Sequence, residues 1–326
     1  MISRRQVVIA LGAGAFAPLV SFAQQRKVWR IGFLQEVEQP TINIRFSAFK
    51  AGMSALGYAE GKDYVIEVRH AQSDFARLPA LASDLVALKV DIILTSGTPS
   101  AVAASKATRE IPILMPTVGD PVRSGLAASL ARPGGNVTGF STLTSELVSK
   151  RLDLLRQLLP RMRRVGLLYD PDNQIDKIVL LQFEFDCAKL QLQPIRAAAR
   201  KTEEIAAAFR TLVDQKAQAL IVTSSGINNG SRENIIERAA KHRMLAIYSQ
   251  TDYCERGGLI SYAPDFSDLW RRSAAYADKI FKGAKPGDLP IEQPTRFEFV
   301  LNMKTAKALG LKIPGSILVQ ATRVIE

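Results

Sequence analysis

The chain has 326 residues, 47% of them apolar and 23% charged, with a formal charge of +12. That length supports two domains with substantial cores, and the composition excludes a disordered or fibrous chain. The basic excess forms no dense Lys/Arg block and no aromatic-interleaved stripe after the N-terminus; its longest clusters are 161–164 and 271–272. Nucleic acid is therefore not an expected partner.

Residues 1–23 read as an export signal. Ser3-Arg4-Arg5 opens the segment, an apolar stretch covers 9–20, and Ser21-Phe22-Ala23 places small residues at the positions a signal peptidase reads. The paired arginines resemble a twin-arginine signal. The apolar stretch is short for a membrane anchor. Cleavage after Ala23 would leave a mature protein in the periplasm. There the two cysteines, Cys187 and Cys254, can form a disulfide; two part-buried thiols are the alternative.

From residue 28 the chain alternates strands and helices. A strand is predicted at 28–35 and a helix at 45–56, where Phe46, Phe49, Met53 and Leu56 recur at helical spacing and Gly57 ends the run. A more alternating strand at 64–70 suits a sheet edge, and a helix follows at 78–89. Ile92-Ile93-Leu94 is a short apolar run without polar alternation, the pattern of a strand buried on both faces. Thr95 to Ser100 then supplies hydroxyls, a Gly and a Pro, which is helix-start chemistry. The helix it opens ends near Arg109. A strand at 111–117, a short helix at 124–130, a strand at 137–141 and a long helix at 143–159 follow.

Then the pattern restarts. The stretch 164–170 (RVGLLYD) echoes 30–35 (RIGFLQ), and 219–226 (ALIVTSSG) echoes 91–97 (DIILTSG). Helices are predicted at 175–190, 202–215, 231–242 and 265–282, with strands at 193–198, 219–223, 245–249 and 258–262. The tail, 286–326, is a Pro-interrupted extended run with one short helix. This is a two-fold repeat at domain scale. It predicts an α/β fold of two lobes with parallel sheets and a ligand cleft between them. Lobe 1 is expected to comprise 28–141 plus about 263–284, and lobe 2 about 142–262 plus 285–326.

Several stretches together resemble a family. They are SGTPSAVAA at 96–104, VGDPV at 118–122, ARPGGNVTGFS at 131–141, RVGLLYDPDN at 164–173, and the long closing segment from GGLISYAPD to the terminal ATRVIE. The chain is similar to the ABC transporter substrate-binding proteins of the TrpX-like group, which are type I periplasmic binding proteins. The resemblance implies two flavodoxin-like lobes and three crossings between them. It also implies hinge closure on a small molecule, here an amino acid or related organic solute, and delivery to an ABC permease in the inner membrane. A monomer without cofactor or metal is the expected form. Some members bind aromatic amino acids. Segment 224–231 (SSGINNGS) is smaller and more polar than the family's usual proline- and phenylalanine-containing loop.

In such a fold the loops after equivalent strands line the cleft. The candidate ligand residues are Gln35, Ser96, Gly97, Thr98, Ser100 and Asp120 in lobe 1. In lobe 2 they are Tyr169, Asn173, Ser225, Gln250 and Tyr253. Thr98 and Ser100 sit where free N–H groups favour a ligand carboxylate, or they cap their own helix. Asp120 can pair with a ligand ammonium or make an Asp-Pro turn. Tyr169 and Tyr253 can stack on an apolar ligand. Catalysis is disfavoured: the two histidines, His70 and His242, fall on separate elements, and no HExxH, CxxC or Walker-type loop is present. A ligand-presenting module for a membrane sensor would have the same fold. A DNA-binding regulator would need an N-terminal domain where the signal segment lies.

Overall fold

The computed structural model describes residues 27–36, 40–72 and 74–326. The predicted signal segment lies outside them. The elements, in order, are β1 (Trp29–Gln35), α1 (Pro40–Ala55), β2 (Tyr64–His70), α2 (Leu78–Ala87), β3 (Ile92–Thr95), α3 (Thr98–Ala107), β4 (Ile113–Val118) and β5 (Val137–Ser141). The second series is α4 (Leu147–Leu158), β6 (Arg164–Tyr169), α5 (Gln174–Lys189), β7 (Gln193–Ala198), α6 (Ile205–Asp214), β8 (Ala219–Val222), α7 (Gly226–Gly230), α8 (Arg232–Lys241), β9 (Leu245–Tyr248), α9 (Asp252–Glu255) and β10 (Ile260–Pro264). The chain closes with α10 (Phe266–Phe281), β11 (Phe297–Asn302), α11 (Met303–Ala308), α12 (Gly315–Gln320) and β12 (Arg323–Ile325).

Two sheets result. One has the order β2-β1-β3-β4-β5 and is parallel throughout. The other runs β12-β11-β10-β9-β8-β6-β7. The all-parallel expectation fails there at one place: β11 pairs antiparallel with β10. The chain returns to that edge from lobe 1 and meets β10 head-on, which a parallel crossover would not allow.

Burial on both faces explains the unbroken apolar strands. In β1, Ile31 and Phe33 pack with α1 and α10, whereas Leu34 joins the cluster under α2 and α3. In β6, Val165 and Leu167 pack with α4 and α5, and Leu168 with α6 and α8. A glycine occupies the same place in both strands. A methyl group on Gly32 would lie 3.0 Å from Leu85 Cδ2, and one on Gly166 would lie 2.1 Å from Leu212 Cδ2. The repeat is thus built down to the small residue that lets a helix lie close on its strand.

The chain crosses between lobes after β5, between β10 and α10, and before β11. The last crossing was expected near 285 but comes later. Glu292 exchanges backbone bonds with Gly139 and Ser141, and Ile291 N–H donates to Leu130 O, so 286–292 lies along the edge of lobe 1. The helix expected at 124–130 is a series of turns instead, with Gly125 at φ +74. Cys187 and Cys254 are free and buried, one within α5 and the other with its Sγ against Val300 O, so no disulfide forms. Burial pushes both thiols up to about 12, which makes them unreactive. Among the described residues no helix is long and apolar enough to cross a membrane.

Candidate functional site

The carboxyl ends of the strands in the two sheets face each other across a cleft of about 980 Å³, part of it open to solvent. Lobe 1 contributes Glu36, Arg45, Ser96, Gly97, Thr98, Thr117 and Gly119. Lobe 2 and the crossings contribute Arg151, Asn173, Ile175, Asp176, Ser224, Asn229, Gln250 and Phe266.

Of the predicted residues, Ser96, Gly97, Thr98, Asn173 and Gln250 line this space. Thr98 Oγ1 accepts from Gly119 N–H at 3.1 Å, tying the start of α3 to the loop after β4. Asn173 caps α5 by accepting from the N–H groups of Ile175 and Asp176. Gln250 spans the cleft: its Oε1 accepts from Arg45 Nη2 at 3.0 Å, and its Nε2 donates to Ser224 Oγ at 2.6 Å.

The other predicted residues are not on the cleft wall. Gln35 is buried at the end of β1. Tyr169 packs in the lobe 2 core beside Ile175 and Val179. Ser225 is fully buried and caps α7 through Asn228 N–H. Tyr253 is stacked on Tyr248 and donates its hydroxyl to Asn228 O at 2.7 Å. Asp120 holds its own turn, accepting from Arg123 N–H at 3.0 Å. Ser100 is the instructive case. Its N–H and hydroxyl meet Glu36 Oε1 at 3.0 and 2.9 Å, so the chain's own carboxylate fills the place at α3 expected for a ligand carboxylate.

Four charged residues of the cleft were missed. Arg151 is 2% exposed and sits on the apolar face of α4, among Leu147, Val148, Leu152 and Leu155. Its Nε and Nη2 donate to Tyr262 O at 3.1 and 2.9 Å, and no carboxylate among the described residues pairs with it. Burial lowers this guanidinium to about 10. Asp176, in the first turn of α5, is also 2% exposed. Its Oδ2 accepts from Asp170 N–H at 2.8 Å and Thr223 Oγ1 at 2.6 Å, leaving Oδ1 without a donor among the described residues. Burial pushes its carboxyl up to about 7, against the two hydrogen bonds that favour the ion. Arg45 lies 4.1 Å over the Phe266 ring; burial lowers it to about 10, opposed by Asp252. Glu36 is raised by burial, with Ser100 acting the other way. The one sequence signal for these residues was Arg151, a charge inside an apolar stripe. An acid in a first helical turn is ordinary dipole chemistry and does not stand out.

The cleft therefore presents two cations and two carboxylates, with hydroxyls and amides between them. Such a surface suits a net-neutral, doubly charged small solute. The lobes also touch. A methyl group on Gly119 of lobe 1 would lie 2.6 Å from Ile175 Cγ2, and one on Gly226 of lobe 2 would lie 2.5 Å from Phe75 Cζ.

Known proteins show the same build. A tyrosine-binding protein of Clostridioides difficile (strain R20291) is 30% identical over 287 residues, covering 88% of this chain and 82% of that one. The ABC domain from Streptococcus pneumonia in complex with L-Trp is 28% identical, with a TM-score of 0.86, covering 92% of this chain and 100% of the other. The ligand-free, open structure of a substrate binding protein with adhesive properties from Clostridium difficile is 27% identical over 91% of this chain and 99% of that one, with a TM-score of 0.69. At nearly equal identity the better match is the ligand-bound structure, in keeping with lobes that touch. The model of the ABC transporter substrate binding proteins matches residues 30–325, nearly all of the described chain. The chain belongs to the ABC transporter substrate binding protein family.

Proposed function

We propose that this protein captures an α-amino acid between its lobes and delivers it to an ABC importer. The observation that carries this reading is the pair Arg151 and Asp176. Each is almost fully buried, and each turns an unpaired polar group to the same cleft. Arg151 would take the ligand carboxylate and Asp176 the ligand ammonium. A buried guanidinium with only a carbonyl for a partner leaves donors unused, and a carboxylate satisfies them best. Both residues belong to lobe 2 in this reading, so the zwitterion docks there first. Ser96 and Thr98 of lobe 1 then complete the enclosure as the hinge closes, with Gln250 of lobe 2 meeting Arg45 across it. The relatives named for tyrosine binding and for a complex with L-Trp support an amino-acid ligand. The jaws in this proposal are 28–141 with about 263–292, and about 142–262 with 293–326. Export through segment 1–23 would place the mature monomer in the periplasm, beside its permease.

The test is calorimetry of the mature protein against the common L-amino acids, with a thermal-shift screen to find the binder. Arg151→Leu is expected to weaken binding at least 100-fold, the scale of a buried charge-assisted contact of about 2–5 kcal/mol. It strands no partner carboxylate but removes both donors to Tyr262 O, so a stability loss of about 1–3 kcal/mol should accompany it, and affinity is read on the folded protein. Unchanged affinity would remove Arg151 from the site, and the zwitterion reading with it.

A further inference from the structure

Glu36, like Asp176, is a carboxylate of the cleft with no cation beside it among the described residues. Its position is fixed from three sides. Its backbone N–H donates to Ser96 Oγ at 2.9 Å, and its Oε1 takes the Ser100 N–H and hydroxyl. Gly97 makes the room: a methyl group there would lie 2.8 Å from Glu36 Oε1. The start of α3 favours the ionised form, against the burial that opposes it. Oε2 is left with no donor among the described residues, on a side chain that lines the cleft.

The lobe 1 cation that lines the same space is engaged elsewhere. Arg45 donates to Gln250 and lies on Phe266, with Asp252 and Glu298 as its favourable charges. When the lobes close and water is displaced, an anionic oxygen without a donor is costly. The ligand has to bring the donor.

Resting on the reading of Arg151 and Asp176 as anchors for the two backbone ends of an amino acid, we propose that Glu36 reads the side chain. Its free oxygen accepts a hydrogen bond from an N–H or O–H group of the ligand, so the trapped amino acid is one whose side chain carries such a donor. The backbone anchors lie on lobe 2 and Glu36 on lobe 1. The jaw that closes last is thus the one that inspects the side chain. Hydrocarbon side chains would leave Oε2 desolvated and unpaired, a penalty that discriminates more sharply than a missing methylene.

Calorimetry on matched pairs tests this: L-tyrosine against L-phenylalanine for a neutral donor, and L-lysine against L-norleucine for a cationic one. At least one pair should favour its donor-bearing member tenfold or more, and which pair does so identifies the donor as neutral or cationic. Glu36→Gln keeps an oxygen for Ser100 but turns an NH2 to the ligand. Glu36→Leu removes both oxygens. Glu36→Leu should bring the favoured pair within threefold, mainly by tightening the donor-less member, since no anion is left to desolvate. Glu36→Gln should do the same for a cationic donor, which an NH2 cannot satisfy. If Glu36→Leu keeps the wild-type preference, Glu36 only braces α3, and the proposal falls. Equal wild-type affinity within both pairs also overturns it, leaving the Arg151–Asp176 anchors standing. Binding of no amino acid by the wild type overturns the anchors and this inference together.

Discussion

At the scale of single residues, what matters is which polar atoms the protein leaves unused. Asn228 illustrates a residue turned fully inward. It is fully buried and donates to Leu168 O, Thr223 O and Thr223 Oγ1, so it braces the loop after β8. Asp176, one step away through Thr223, keeps an oxygen for the cleft. Its carboxyl, raised to about 7 by burial, sets a pH dependence. An unfolded aspartate titrates near 3.9, so between about pH 4 and 7 the folded protein holds a proton the unfolded chain has lost. Stability of the ligand-free protein therefore falls as pH rises through that window. Binding moves the other way, because an ammonium selects the ionised carboxylate. Affinity should rise more than tenfold from pH 5.5 to 8, with proton release seen as a buffer-dependent binding heat. In Asp176→Asn the remaining affinity should lose that dependence; a flat wild-type profile would exclude Asp176 as the ammonium partner.

Helices and strands set how firmly the loops hold. The hydroxyl of Thr98 joins two lobe 1 loops through Gly119 N–H, and Thr98 is 7% exposed. Thr98→Val keeps the shape and leaves that N–H unpaired. The expected loss is about 1–3 kcal/mol of stability, read by denaturant unfolding. Removing the cap of α5 with Asn173→Ala should cost about 1 kcal/mol. It should also weaken ligand binding, since the same turn carries Asp176. A stability loss with full affinity would mean that the first turn of α5 does not hold the ligand.

For the whole molecule, the lobes meet at two glycines, and the proposed closure should depend on them. Gly119 faces Ile175, and Gly226 faces Phe75. The three atoms nearest the missing side chain at each position belong to the other lobe. Gly119→Val or Gly226→Val should therefore leave the folded lobes intact but keep them apart. We expect unchanged thermal unfolding without ligand and at least tenfold weaker binding. Small-angle scattering should show the radius of gyration contracting on ligand addition in the wild type and staying put in the variants. Contraction in the variants would show that closure tolerates the added bulk.

The sequence by itself determined the doubled α/β pattern and most of the order of strands and helices, though not the turns at 124–130 or the strands of the tail. It could do so because strands buried on both faces leave unbroken apolar runs, as in β3 and β8, and because the loop after each repeats the same Thr-Ser chemistry. It placed β2 at a sheet edge from its alternation alone. Only the tertiary structure decided which residues of those loops reach the cleft. Asp120 and Tyr253 had the right chemistry in the right loops, yet one holds a turn and the other fills a core. Glu36, Arg151 and Asp176 line the cleft instead. A side chain's direction at the cleft depends on partners far away in the chain: Ser100 for Glu36, Tyr262 for Arg151, Thr223 for Asp176. Local spacing carries no record of such contacts, and they form only when the two sheets are folded.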